Sequence, residues 1–283
     1  MGLKKIVLPE TLYEALSILA GPDGPYRVCA GGTDIFAAAN IGRGRPLEGT
    51  LVSLQRVGEL RTISLSGNDL VIGANCTFSQ IIRHDLTAVH APLLAEAAGR
   101  IASPQIRNLA TIAGNVVNAS PAGDGLTALT ALDAAVELAK LANGAPVTRQ
   151  VPVSEFVCGP GRTLLEQGEL VTAFRIPSCG GGRHLYEKVG MRASMAISVV
   201  NIAFQVRQTP ERDFRAAIGS LGPRVVICRE AEQRALRGDI GGAVSLWMDA
   251  ISPISDLRAT AEYRRQAGKN ILTRQAAALL KEG

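Results

Sequence analysis

The chain has 283 residues, 47% of them hydrophobic and 19% charged, which supplies a sizeable core and lies far from the composition of disordered proteins. Its net charge of +5 is scattered, with only short clusters such as Arg264–Arg265, and this offers nucleic acid no basic stripe. No run reaches the roughly eighteen apolar residues of a membrane span, and the first ten residues lack the apolar centre of a signal peptide, so a cytoplasmic protein of two or three domains is expected.

In chain order, a short apolar run at Ile6–Leu8 reads as a strand, and Thr11, three residues before Glu14, reads as the cap of a helix running to Ala20. Tyr26 to Ala30 reads as a second strand, broken by Gly31 and Gly32, with a helix opening near Asp34. Strands follow at Leu51–Leu54 and Leu70–Ala74, the second preceded by a turn at Gly67-Asn68-Asp69. A helical period then runs from Phe78 to Ala102. The stretch from Gly114 to Gly125, rich in Asn, Ser, Gly and Pro, is too polar for a buried strand and too short for a linker. A short helix at Leu126–Leu132 and a strand at Ala135–Ala139 lead to Pro177–Gly182, the clearest linker in the sequence. Beyond it, Met195–Val206 and Phe214–Gly219 read as strands of one sheet, helices begin near Arg229, and Leu257–Arg265 and Ile271–Leu280 read as helical.

Metal chemistry finds no ligand set. The five cysteines, Cys29, Cys76, Cys158, Cys179 and Cys228, form no C-x-x-C pair, and His84, His90 and His184 have no i,i+4 spacing. No G-x-S-x-G, H-E-x-x-H or P-loop is present, and Gly42-Arg-Gly44 lacks the third glycine of a Rossmann fingerprint. What remains is a pair of glycine-rich stretches. Ala30-Gly-Gly-Thr-Asp34 stands between a strand and a helix, where backbone N–H groups and a helix N-terminus can converge on a pyrophosphate. An ordinary turn capped by Thr33 or Asp34 explains that stretch equally well. The second, Thr111 to Asp124, adds Gly114, Asn115, Asn118, Ser120 and Asp124, enough polar groups for a diphosphate, a ribityl chain and a ribose. A carboxylate repels phosphate, so Asp124 suits sugar or ribityl hydroxyls, or caps the helix that follows. A cradle without an acid, a base or a metal points to a cofactor that carries the chemistry itself.

These stretches resemble a known family. Ala30–Ile35 is similar to the pattern A-G-G-T-D-L, and Ile106–Asp124 to I-R-N-x-A-T-I-G-G-N-I-x-N-A-S-P-A-G-D, of the medium FAD-binding subunit of the xanthine dehydrogenase and carbon monoxide dehydrogenase family of molybdenum hydroxylases. Similarity continues through Gly168–Pro177, Tyr186–Arg192 and Ser252–Arg265. The resemblance implies an α+β protein: a PCMH-type FAD-binding domain of two α/β subdomains, 1–55 and 56–177, followed by a small C-terminal α+β domain, 183–283.

It further implies that Val28, Cys29, Ala30, Gly31, Gly32, Thr33, Asp34 and Ile35, with Thr111, Ala113, Gly114 and Asn115, hold the pyrophosphate and a ribose, joined by Asn118 and Ser120. Asp124 is implied to meet sugar or ribityl hydroxyls, Ile101 and Val171 to line the adenine and flavin surroundings, and Lys188 to lie near the isoalloxazine ring. FAD is then the cofactor of this chain, while a molybdenum-binding large subunit and a 2Fe-2S small subunit complete a heterotrimer that reduces an external acceptor. A free-standing flavoenzyme of the same architecture and a binding module that has lost its cofactor are the alternatives. The family carries two glycines where this chain has Ala113-Gly114, and the substitution leaves Gly114 to take any left-handed torsion required there.

Overall fold

The computed structural model describes residues 2–40, 48–178, 182–208 and 212–281. Gly42-Arg-Gly44, Cys179 and the middle of the Pro177–Gly182 linker lie outside the described residues. The chain opens with β1 (Leu3–Val7), α1 (Leu12–Ala20), β2 (Tyr26–Cys29), α2 (Thr33–Asn40) and β3 (Gly49–Ser53); β3 lies between β1 and β2 in a three-stranded parallel sheet. Thr11 caps α1 as its spacing predicts, accepting the Glu14 N–H at 3.1 Å, and Ala15, Leu16 and Leu19 form the buried face.

β4 (Ile63–Ser66) and β5 (Asp69–Gly73) form a hairpin whose turn uses Gly67 at φ +61°. Six helices follow: α3 (Phe78–Arg83), α4 (Asp85–His90), α5 (Pro92–Gly99), α6 (Pro104–Arg107), α7 (Ile112–Val117) and α8 (Asp124–Ala131). The continuous helical period from Phe78 to Ala102 is thus divided into three. His84 is extended and accepts the Leu86 N–H on Nδ1, starting α4, and Pro92 starts α5 at a position where a missing N–H costs nothing.

β6 (Ala135–Ala142), β7 (Ala145–Pro152), α9 (Val153–Phe156), the small ladder of β8 (Val157–Gly159) with β9 (Arg162–Thr163), and β10 (Leu170–Pro177) complete this part of the chain. The five-stranded sheet is antiparallel throughout, in the order β4-β5-β10-β6-β7.

The remaining chain forms an antiparallel sheet of β11 (His184–Gly190), β12 (Ser198–Arg207) and β13 (Asp213–Gly219), covered by α10 (Arg229–Leu236), α11 (Ile240–Ala250) and α12 (Ala261–Lys281). Trp247 of α11 sits edge-on to Phe214, and Phe214 stacks on Phe204, at centroid distances of 6.3 and 6.1 Å. Residues 257–260 are not helical, contrary to their composition. The Asp256 carboxylate accepts the N–H groups of Arg258 and Ala259, which turns the chain before α12 begins.

One helix decides how these parts fit. All eight residues of α8 are buried, because the helix packs on α5 and on β12 and β13 of the last sheet. Burial of Leu126 and Leu129 contributes roughly 1.5–3 kcal/mol each. Its hydroxyls return to its own backbone: Thr127 Oγ1 donates to the Gly123 carbonyl and Thr130 Oγ1 to that of Leu126.

A candidate flavin site between two glycine-rich stretches

The first glycine-rich stretch meets the segment that leads into the second. A Cβ placed on Gly31 would lie 1.9 Å from the carbonyl oxygen of Leu109, so only glycine lets these two backbones touch. The Gly32 carbonyl accepts the Phe36 N–H, the first hydrogen bond of α2. Gly32 does so at φ +71°, with the Phe36 ring 2.7 Å from where a Cβ would stand. Val28 and Cys29 therefore end a parallel strand, Ala30 and the two glycines turn, and Thr33, exposed Asp34 and half-buried Ile35 open the helix.

The second stretch is held in place beside it. Phe78 N–H donates to the Ala110 carbonyl and Ile112 N–H to that of Cys76, and Thr111 caps α7 by accepting the Gly114 N–H at 3.1 Å. Both Ala113 and Gly114 are helical, so neither needs a left-handed torsion; the positive φ of this stretch is at Ala119, 49°. The Ala113 methyl is buried in the core and strains no torsion, because a helical backbone accepts any L residue.

Several groups singled out as ligand contacts also serve the loop. Asn115 Oδ1 accepts the Leu126 N–H at 3.1 Å and Ser120 Oγ accepts the Ala122 N–H at 3.3 Å, while Gly114 and Asn118 are exposed beside them. Ile101 and Val171 are both buried in the main core; Val171 lies in the centre of the five-stranded sheet, opposite Leu138.

Asp124 heads the buried helix and meets four donors at once. Its Oδ1 accepts from Tyr186 Oη at 2.6 Å, Ser198 Oγ at 2.7 Å and Asn201 Nδ2 at 3.2 Å, and its Oδ2 pairs with Lys188 Nζ at 2.7 Å. Burial, then the adjacent negative charge of Asp124, push the Tyr186 phenol well above its ordinary value, so it stays a donor. Lys188 also donates to the Arg100 carbonyl at 3.0 Å.

Lys188 forms part of the wall of a cleft of about 370 Å³ between residues 99–107 and the turn that joins β11 to β12. Arg100, Arg107 and Arg192 add positive charge to it, and Ala102 and Met195 line it at φ 39° and 53°. Left-handed torsions at non-glycine residues cost of order 1–3 kcal/mol, and Arg107 secures the first by donating to the carbonyls of Ile101 and Ala102. A cationic cleft suits an anionic ligand such as a dinucleotide.

Comparison with known proteins gives this site its context. Residues 3–179 match the model of the FAD binding domain in molybdopterin dehydrogenase, and residues 185–279 that of the CO dehydrogenase flavoprotein C-terminal domain. The chain belongs to this family. It is 33% identical to the xanthine dehydrogenase FAD-binding subunit of Escherichia coli O157:H7, over 90% of this chain and 88% of that protein. With the glyceraldehyde dehydrogenase medium chain of Sulfolobus acidocaldarius it shares 32% identity over 95% of each. A chain of the reconstituted CO dehydrogenase from Oligotropha carboxidovorans superimposes with a TM-score of 0.88 at 28% identity, covering 99% of both chains.

The protein is thus a flavoprotein oxidoreductase subunit of the xanthine and CO dehydrogenase type, and its fold is an FAD-binding domain followed by the family's C-terminal domain. No described helix is long and apolar enough to cross a membrane.

Sequence reasoning missed Tyr186, Ser198 and Asn201. Tyr186 and Lys188 stand two apart on β11, a spacing that puts both side chains on one face of a strand, and that period was the available signal.

Proposed function

We propose that this chain binds one FAD and passes electrons from the iron-sulfur clusters of a partner subunit to an external acceptor, within a complex whose large subunit holds the molybdenum cofactor. The observation that supports the reading is the contact of Gly31 with the Leu109–Ala110 backbone, which brings the first glycine-rich turn against the segment leading into the second, inside the region matched by the FAD-binding family model. In this reading the units are 1–55, 56–177 and 183–283, the complex is a cytoplasmic heterotrimer, and the flavin ring lies in the cleft that Lys188 lines. FAD bound there supplies a store for two electrons that can be filled one at a time.

The chain's own residues place and tune that cofactor. The turns at Gly31–Thr33 and Thr111–Asn115 hold the phosphate end, Asn118 and Ser120 stand beside it, and Lys188, paired with the buried Asp124, faces the ring end. A positive charge beside the ring favours its anionic reduced form and so raises its potential. No acid-base pair is needed in the chain, because substrate oxidation takes place in the large subunit.

Purification of the native complex, with metal analysis and an absorption spectrum, tests the reading. Molybdenum, iron and flavin should travel together, and the flavin should be reduced when substrate is added. Isolation of this chain alone with full activity would support a free-standing flavoenzyme instead, and a colourless protein after incubation with FAD would support a module without cofactor.

A further inference from the structure

The polar groups around Asp124 come almost entirely from the C-terminal sheet. Tyr186 lies on β11 and Ser198 and Asn201 on β12, and all three are buried. Asn201 Nδ2 donates to Asp124 Oδ1 and to Tyr186 Oη at 3.1 Å, while Asn201 Oδ1, 3.4 Å from Thr127 Oγ1 of α8, shares that hydroxyl proton with the Gly123 carbonyl. Room for that amide depends on Gly219 across the ladder, where a Cβ would stand 1.9 Å from Asn201 Oδ1.

Oδ1 is therefore saturated by three donors, and the carboxylate cannot rotate without breaking them. Oδ2 is left to hold Lys188. The ammonium has three protons; Asp124 and the Arg100 carbonyl take two, and one remains for whatever occupies the cleft.

We propose that Tyr186, Ser198 and Asn201 are positioning residues for the flavin: they lock the Asp124 carboxylate, and through it hold the Lys188 ammonium at the cleft with one proton free. The inference rests on the reading that the cleft holds the flavin ring. It makes the C-terminal domain a contributor to the flavin's electronic environment although none of the three residues lines the cleft.

The test is a double-mutant cycle in the FAD-loaded complex, read by spectroelectrochemical midpoint potential and by the FAD dissociation constant. Lys188→Met should lower the potential. Tyr186→Phe should lower it less, because the ammonium is kept but no longer fixed, and should weaken FAD binding by about tenfold. In the Lys188→Met background Tyr186→Phe should produce no further change in potential, since no ammonium is left to be moved.

Ser198→Ala, which removes a different donor from the same oxygen, should act in the same direction and serves if Tyr186→Phe does not fold. An unchanged potential in both Tyr186→Phe and Ser198→Ala, or an equal shift with and without Lys188, would overturn the positioning role while leaving the flavin cleft intact. An unchanged potential in Lys188→Met would overturn both.

Discussion

Gly31 and Leu109 are in backbone contact, with the glycine Cα so close to the leucine carbonyl that a methyl group would stand 1.9 Å from its oxygen. Two turns far apart in the chain are thereby fixed at one point. Gly31→Ala forces the β2–α2 turn away from the segment leading into Thr111, an overpacking that costs roughly 1–3 kcal/mol or more. Flavin per protein, measured from the visible spectrum after purification, should fall at least tenfold, with the far-ultraviolet circular dichroism largely preserved. Full flavin content in the variant would show that this contact does not shape the site.

Asn115 is expected to act on α8 rather than on ligand alone. Its Oδ1 accepts the Leu126 N–H within the first turn of the buried helix. Asn115→Ala leaves that N–H without a partner and should destabilise the protein by about 1–2 kcal/mol. A lowered midpoint in urea checks this. An unchanged midpoint would return Asn115 to a purely ligand-binding role.

Asp133, just past the other end of α8, ties it to the same C-terminal domain. Arg207 of β12 reaches Asp133 Oδ2 at 3.1 Å, Arg215 of β13 reaches it at 2.8 Å, and Arg229 of α10 pairs with Oδ1. Burial by itself would raise the Asp133 carboxyl, but the three guanidinium groups outweigh it and hold it below its ordinary value. A depressed folded value means stability that is complete above the unfolded value of roughly 3.9 and is lost as pH falls through the folded value. Asp133→Asn should therefore lower stability at pH 7 by roughly 1–3 kcal/mol and flatten the acid limb of the stability curve below about pH 4. Asn tolerates the φ of 53° at this position, so the substitution isolates the charge. Thermal midpoints across pH, compared with those of the parent, provide the measurement.

The cysteines should differ sharply in reactivity. Burial pushes the Cys76 thiol up to about 11, against smaller opposing effects of the Gly73 N–H and Arg61, and burial also raises Cys29. Cys158 is exposed. Alkylation at pH 8 followed by peptide mass mapping should mark Cys158 before Cys29 and leave Cys76 unmodified until denaturant is added. Early labelling of Cys76 would mean that the segment between β5 and α3 opens readily.

Local physics made much of this protein legible in its sequence. Thr11 marks a helix start, Gly67 a turn and Gly31-Gly32 a strand-to-helix turn, because each depends on torsions and hydrogen bonds within a few residues. The two glycine-rich motifs carried the family and the cofactor for the same reason: their pattern is contiguous. A smooth helical period hid the local breaks at His84 and Pro92. Tertiary structure alone decided the rest. Asp124 read equally as a cap or as a sugar ligand. Its partners, Tyr186, Lys188, Ser198 and Asn201, come from strands 62 to 77 positions away, and they converge only because α8 is buried against the C-terminal sheet. A carboxylate's role follows from which donors surround it, and that depends on strand register and helix packing that no local pattern encodes.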